Sequence, residues 1–393
     1  MPDPVICSIA RTPIGRFGGA FSSLTAMDLG ARAIEAAVDR SGLPAEHIDE
    51  VLFGHVLQAG QGQITSRQAA RAAGIPMSVP ATTINKVCLS GMTAIAEAAR
   101  HIQLGESAFV LAGGMESMTN APYTVPKARH GLRIGDGVLV DTMQHDGLWC
   151  AFDNCTMGSS ADVMNGKLGI SRQEQDDWSA ASHARAMDAT ESGAFAGELV
   201  PVTVPQRKGA PKVIDRDEGM RPNTTTETLA ALRPAFSPDG TTTAGNASQI
   251  SDGGAAVLVA DRTAAEAAGL PVLAEILSYG QVAGPDAMLH ERPAEALRVA
   301  MKRASLTTSQ LDLVEINEAF ASVAVWSANL LELDHSLVNV NGGAVAIGHP
   351  LGATGARITV TLINALINRG GGIGGAALCG GGGQGDALIV RVP

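Results

Sequence analysis

The chain has 393 residues, 45% of them hydrophobic and 17% charged, with 46 glycines and a formal charge of −11. That length can bury a large core and suggests two or three domains, and the apolar fraction excludes a disordered chain. The acidic balance, with no Lys/Arg cluster to reverse it locally, argues against a general nucleic-acid binder, and no run of about 18 apolar residues suggests a membrane span. The opening "MPDPVICSIARTPIG" lacks a charged stretch followed by a long apolar run, so no secretory signal is expected. Cys7, Cys88, Cys150, Cys155 and Cys379 are odd in number and irregularly spaced, which fits reduced thiols in a cytoplasm better than a disulfide framework. Cys150 and Cys155, with His145 nearby, match no common zinc spacing, and no metal is expected.

In chain order, the first strong pattern is "ARAIEAAVDRSGLPAEHIDEVLFG" (31–54), an amphipathic helix, a turn and a buried strand. It returns as "AEALRVAMKRASLTTSQLDLVEIN" (294–317) at a constant offset of 263 positions, pairing Ile34 with Leu297, Ala37 with Ala300 and Val51 with Val314. One period spanning most of the chain indicates two related halves. The next unit, "CLSGMTAIAEAARHIQLGESAFVLAGG" (88–114), is helix, glycine turn and strand, and residues 349–383 repeat that order. In the second half the closing strand "DALIVRV" follows at once. Its counterpart in the first half, "GGAAVLVAD", waits until 253–261, so about 130 residues are inserted, too many for a plain loop. The insert has helices of its own, one opening with a capping box, Ser171 to Glu174. The expected architecture is α/β: two pseudo-symmetric, doubly wound halves with mostly parallel sheets and an inserted lobe. The expected divisions are 1–118 plus 251–270, the lobe 119–250, and 271–393.

Cys88, in "NKVCLSG", precedes a helical pattern, where the helix's positive end favours thiolate over thiol. His349, in "NVNGGAVAIGHPLGATGAR", holds the same relative position in the second half, inside a glycine-rich turn. "EINEAFA" ends a buried strand with Asn317 and Glu318, where α/β sheets usually place their sites, although a helix cap would look the same. "CGGGGQG" (379–385) is no phosphate loop, because it joins strand to strand and lacks the following Lys-Ser/Thr; "GIGGAA" (372–377) follows a helix rather than a strand and is no dinucleotide fingerprint. The glycines can instead expose backbone N–H groups beside Cys379, as an oxyanion hole needs. A thiol, a histidine to activate it, a second thiol, an amide and free N–H groups form an acyl-transfer set.

Those motifs, with "RTPIGRFGG", "GGMESM" and "GNASQISDGGAA", make the chain similar to the thiolases along essentially its whole length. The resemblance implies a layered αβαβα fold and no cofactor, with coenzyme A as substrate and product. It implies reversible condensation of two acetyl-CoA through an acetyl-Cys88 intermediate, or thiolysis in reverse. It makes His349 the residue that accepts the Cys88 proton, Cys379 the thiol that moves the α-proton, and Asn317 the holder of a water in one oxyanion hole. The N–H groups of Cys88 and Gly381 form the other. It assigns Arg221 to a coenzyme A phosphate, Ser248 to the pantetheine, and Met157, Phe236, Ala319 and Phe320 to the apolar channel. It also implies a homo-oligomer, a dimer or tetramer, acting in fatty-acid metabolism. Thr156 stands where biosynthetic members commonly carry histidine, which keeps thiolysis of longer 3-ketoacyl-CoAs open as an alternative. A non-catalytic acyl-CoA-binding relative is a further alternative, and filled catalytic positions argue against it.

Overall fold

A computed structural model describes residues 2–393. The first half contributes strands β1 (Pro4–Arg11), β2 (Glu50–Gly54), β3 (Ala81–Ile84), β4 (Phe109–Ser117) and, after the insert, β5 (Ser251–Asp261). The second contributes β6 (Ala274–Ala283), β7 (Leu313–Ile316), β8 (Gly372–Gly380) and β9 (Gln384–Val392). The order across the molecule is β7-β8-β9-β6-β1-β5-β4-β2-β3. The halves meet at β1 and β6 through two registered pairs, Val5↔Glu275 and Ile6↔Ala274, which join the two half-sheets edge to edge.

Mostly parallel sheets were expected, and the structure corrects this. Only β2 with β3, β2 with β4, and β7 with β8 run parallel. The other neighbours are antiparallel. For β8 and β9 the cause is the return path: a tight turn joins them, and a direct return must reverse direction.

Helices α1 (Ala26–Ser41) and α2 (Thr65–Ala72) cover the outer face of the first sheet, where Ile34 and Ala37 pack on Val51 and Phe53. On the far side, α6 (Arg292–Ala304) and α7 (Ala321–Leu330) cover the second sheet with Leu297, Ala300, Ala324 and Val325. Between the sheets lie α3 (Ser90–Leu104) and α8 (Leu351–Arg369), giving five layers. A helix between two sheets has no solvent face, and α8 is buried from Leu351 through Leu366. The α3–α8 crossing is tight. A Cβ on Gly355 would lie 2.4 Å from the Met92 nitrogen, and one on Gly91 would lie 2.9 Å from the Gly352 oxygen. Glycine at both positions lets the two helix starts converge.

Segment 119–250 contains α4 (Met157–Leu168) and α5 (Arg172–Glu191) and holds both halves together. Toward the first half, Arg11 is fully buried and pairs with Glu198 at 2.5 Å and Asp217 at 2.7 Å. Toward the second, Trp178 and Ser182 on α5 donate to the Glu318 carboxylate, at 2.9 and 2.8 Å.

Candidate active site

Cys88 and His349 each stand two residues ahead of the first residue of α3 and α8. The convergence of those helices sets His349 Nε2 3.2 Å from the Cys88 sulfur. Thr354 decides the imidazole tautomer. Its hydroxyl donates to the Pro350 carbonyl (2.9 Å), so toward His349 Nδ1 (2.7 Å) it can only accept. Nδ1 therefore carries the proton, and Nε2 presents a lone pair to the Cys88 thiol. Thr354 gave no signal in the sequence, because its role depends on one turn of α8 folding back toward His349.

Burial sets the resting charge state. It pushes the Cys88 thiol up to about 12, against the opposing pull of the Cys88 and Gly381 backbone N–H groups. Burial, with Arg357 nearby, pulls His349 down to about 3. The expectation that the helix start favours the thiolate is therefore corrected: desolvation outweighs the helix end, and the resting pair is a neutral thiol and a neutral imidazole. Cys379 is likewise held protonated, by burial and by the neighbouring Cys88 sulfur. Immediately before the nucleophile, Val87 has φ +51°, a strained conformation for a β-branched residue.

Cys88, His349, Cys379 and Gly381 line one inner cavity of about 60 Å³, closed by Val87, Gly147, Leu148, Leu289 and Leu351. The Cys88 and Gly381 N–H groups both lie near enough to the Cys88 sulfur to draw its thiol pKa down. Asn317 is not on the cavity wall. It ends β7, donates its backbone N–H to the Ala377 carbonyl and is fully buried, with neither side-chain polar atom partnered. Glu318 proves structural: its carboxylate accepts from Trp178, Ser182, Asn339 and the Val345 N–H.

An outer cavity of about 450 Å³ shares Leu148, Met157, Ser248, Phe320, His349 and Leu351 with the inner one, forming a continuous channel to Cys88. Arg221 and Phe236 line its outer part, and Ala319 lies on the inner wall. Phe236 stands edge-on to Phe320, with ring centroids 6.2 Å apart. Thr156 is on the outer wall, where its hydroxyl caps α4 by accepting from the Ser159 N–H at 3.1 Å. Sequence reasoning missed Arg16, a second cation on this wall. It lies about 200 residues from Arg221, with no local pattern to link them.

A channel ending at a thiol–imidazole pair, with a second thiol and two N–H donors, is built for acyl transfer from a long thioester. Residues 4–263 match the family model for the thiolase N-terminal domain, and residues 270–392 match that for the thiolase C-terminal domain. The chain belongs to the thiolase family and is an acyltransferase. Among its relatives, a "Probable acetyl-CoA acetyltransferase" of Mycolicibacterium smegmatis is 51% identical, over 98% of this chain and 100% of that protein. The acetyl-CoA acetyltransferase of Escherichia coli is 46% identical, over 100% of this chain and 99% of its own length. The crystal structure of the Bacillus anthracis acetyl-CoA acetyltransferase superposes with a TM-score of 0.97 at 41% identity, covering 100% of this chain and 99% of that one.

Proposed function

We propose that this chain is an acetyl-CoA acetyltransferase, joining two acetyl-CoA into acetoacetyl-CoA and free CoA, reversibly, through acetyl-Cys88. The observation that carries this reading is the narrow apolar end of the channel at Cys88, where Val87, Leu148, Leu289 and Leu351 close around a small inner cavity of about 60 Å³ that suits a short acyl group. The named activity of the Escherichia coli and Bacillus anthracis relatives supports it.

The Cys88 sulfur attacks the thioester carbonyl while its proton passes to His349 Nε2, so no free thiolate is needed. The oxyanion forms between the Cys88 and Gly381 N–H groups. Collapse breaks the carbon–sulfur bond to CoA, and the departing thiolate takes the Cys379 proton. That leaves acetyl-Cys88, a Cys379 thiolate and a His349 imidazolium. The thiolate then removes the α-proton of the second acetyl-CoA, whose enolate oxygen faces the imidazolium. The enolate carbon attacks the acetyl carbonyl, and Cys88 leaves with the His349 proton, which restores the resting state. The unpartnered Asn317 amide suits the proposed water that also supports the enolate. Arg221 and Arg16 at the channel's outer part are suited to coenzyme A phosphates, and Ser248, Met157, Phe236, Ala319 and Phe320 to the pantetheine.

Two broader parts of the reading rest on separate observations. A homo-oligomer is supported by an exposed apolar stretch around Leu132, Ile134, Val138 and Leu139, with Ile134 fully exposed. A cytoplasmic, reducing setting is supported by the chemistry's need for two free thiols, and a place in fatty-acid metabolism by the acyl-CoA substrates of the proposed reaction. Thiolysis rates with acetoacetyl-CoA, 3-ketohexanoyl-CoA and 3-ketodecanoyl-CoA test the substrate assignment. The four-carbon substrate is expected to have the highest kcat/KM, and a higher value for either longer one would overturn it.

A further inference from the structure

The two N–H groups that draw down the Cys88 thiol come from opposite halves: Cys88 from the turn 85–89 before α3, Gly381 from the turn between β8 and β9. Among the described residues, no backbone-to-backbone hydrogen bond joins those two turns. Their contact is otherwise apolar, with Gly380 against the Leu89 side chain and Gly381 against Val87. What crosses the gap is a polar cluster centred on one ion pair, with the Tyr279 hydroxyl 3.4 Å from Lys86 Nζ. Lys86 Nζ lies 2.7 and 3.0 Å from the two carboxylate oxygens of Asp386. Asp386 is fully buried on β9, next to Gly385, which pairs directly with Cys379. Thr93 on α3 also donates to Asp386, at 3.0 Å.

On the other side, Lys86 is locked to the nucleophile. Its N–H donates to Ser90 Oγ at 2.8 Å, Ser90 Oγ donates to the Val87 carbonyl at 2.6 Å, and Asn85 Oδ1 accepts from the Val87 N–H at 3.1 Å. These bonds hold Val87 at its left-handed φ and thereby aim the Cys88 N–H. Lys86 does not set the thiol's acidity, which burial, the backbone N–H groups and Glu116 account for.

We propose that the Lys86–Asp386 ion pair is the positioning device of the oxyanion hole, fixing the Cys88 N–H of one half against the Gly381 N–H of the other. The pair touches no substrate and acts through the two turns it joins. The inference rests on the Cys88/Gly381 oxyanion hole in the proposed function. An oxyanion hole works only when both donors reach one oxygen, and losing one costs about 10²–10³-fold in rate. A loosened pair of donors should therefore cost acyl transfer far more than reactions at Cys88 that form no oxyanion.

The test compares two reactions of the same sulfur in the full-length enzyme. Alkylation by iodoacetamide displaces iodide at a saturated carbon and needs no oxyanion hole; acetylation by acetyl-CoA does. Lys86→Met is expected to lower the acetylation rate and kcat by about 10–100-fold, leaving KM for acetyl-CoA within about twofold and slowing alkylation, which loses only the N–H groups' pull on the thiol, by no more than about threefold. Lys86→Arg, which can still reach Asp386, is expected to recover most of the loss, and it serves on its own if Lys86→Met fails to fold. If alkylation and acetylation fall together, or neither falls, or Lys86→Arg is as slow as Lys86→Met, the inference is overturned. Gly381→Pro, which deletes the second N–H, separates the underlying reading. Unchanged acetylation there would refute the oxyanion hole itself, whatever Lys86 does.

Discussion

Leu289→Ala should change which 3-ketoacyl-CoA the enzyme prefers. Leu289 is 5% exposed and lines the inner cavity without reaching the outer one, packed with Ala319, Phe320, Val323 and Cys379. Truncation to alanine removes three carbons from the wall of a cavity of about 60 Å³, enough to admit two further methylenes of an acyl chain. Each newly buried methylene contributes about 0.8 kcal/mol, so 3-ketohexanoyl-CoA should gain about 1.6 kcal/mol relative to acetoacetyl-CoA, about 15-fold in the kcat/KM ratio. The same truncation costs about 2–5 kcal/mol of stability, so rates belong at 25 °C on protein whose circular dichroism matches the parent. Phe236→Ala, on the outer channel, is the control and should weaken both substrates alike. If Leu289→Ala slowed both substrates by one common factor, the cavity wall would not be what selects the acyl chain.

The two thiols should separate by labelling: Cys379→Ser is expected to take up radioactive acetyl from acetyl-CoA, because the CoA thiolate can leave without the Cys379 proton, yet lose condensation and thiolysis by at least about 100-fold, while Cys88→Ser loses labelling too. Normal turnover in Cys379→Ser would reverse the assignment. Arg221→Ala should raise KM for CoA severalfold with kcat little changed, because a phosphate contact far from the reacting atoms is uniform binding; lost kcat at unchanged KM would contradict it. His290, fully buried and pulled down to about 4 by desolvation, should make stability fall on acidification. With its folded value below the unfolded 6.5, its contribution is complete above pH 6.5 and shrinks as pH drops toward 4, by about 2 kcal/mol at pH 5. His290→Gln should flatten that part of the urea-midpoint profile between pH 7 and 5, and an unchanged slope would exclude His290 as its source.

The repeat was legible because each half carries the same helix–turn–strand signal: residues 45–47 and 308–310, the short helical turns before β2 and β7, still differ by 263 positions. Strand direction was not legible, because a buried apolar run reads alike whichever way its neighbour points. At the site, Cys88 stood out because it precedes a helical pattern, and His349 because it holds the matching position inside a glycine-rich turn. The resting charge state did not, since it depends on burial supplied by residues far away in sequence. Arg16, Thr354 and the Lys86–Asp386 pair were hidden for the same reason: each acquires its role from a partner that only the fold supplies. Segment 119–250 read as a lobe of the first half, yet its α5 bonds to Glu318 of the second.

The thiol and the imidazole are separated by 261 residues of chain and meet only where α3 crosses α8. Catalytic competence is therefore a late event in the life of each molecule. While the chain is being made, helices and strands of the Cys88 half can form before any base stands beside its nucleophile. Recovery of acyl transfer after denaturation should consequently lag behind recovery of helix signal, timing the moment at which the two halves dock.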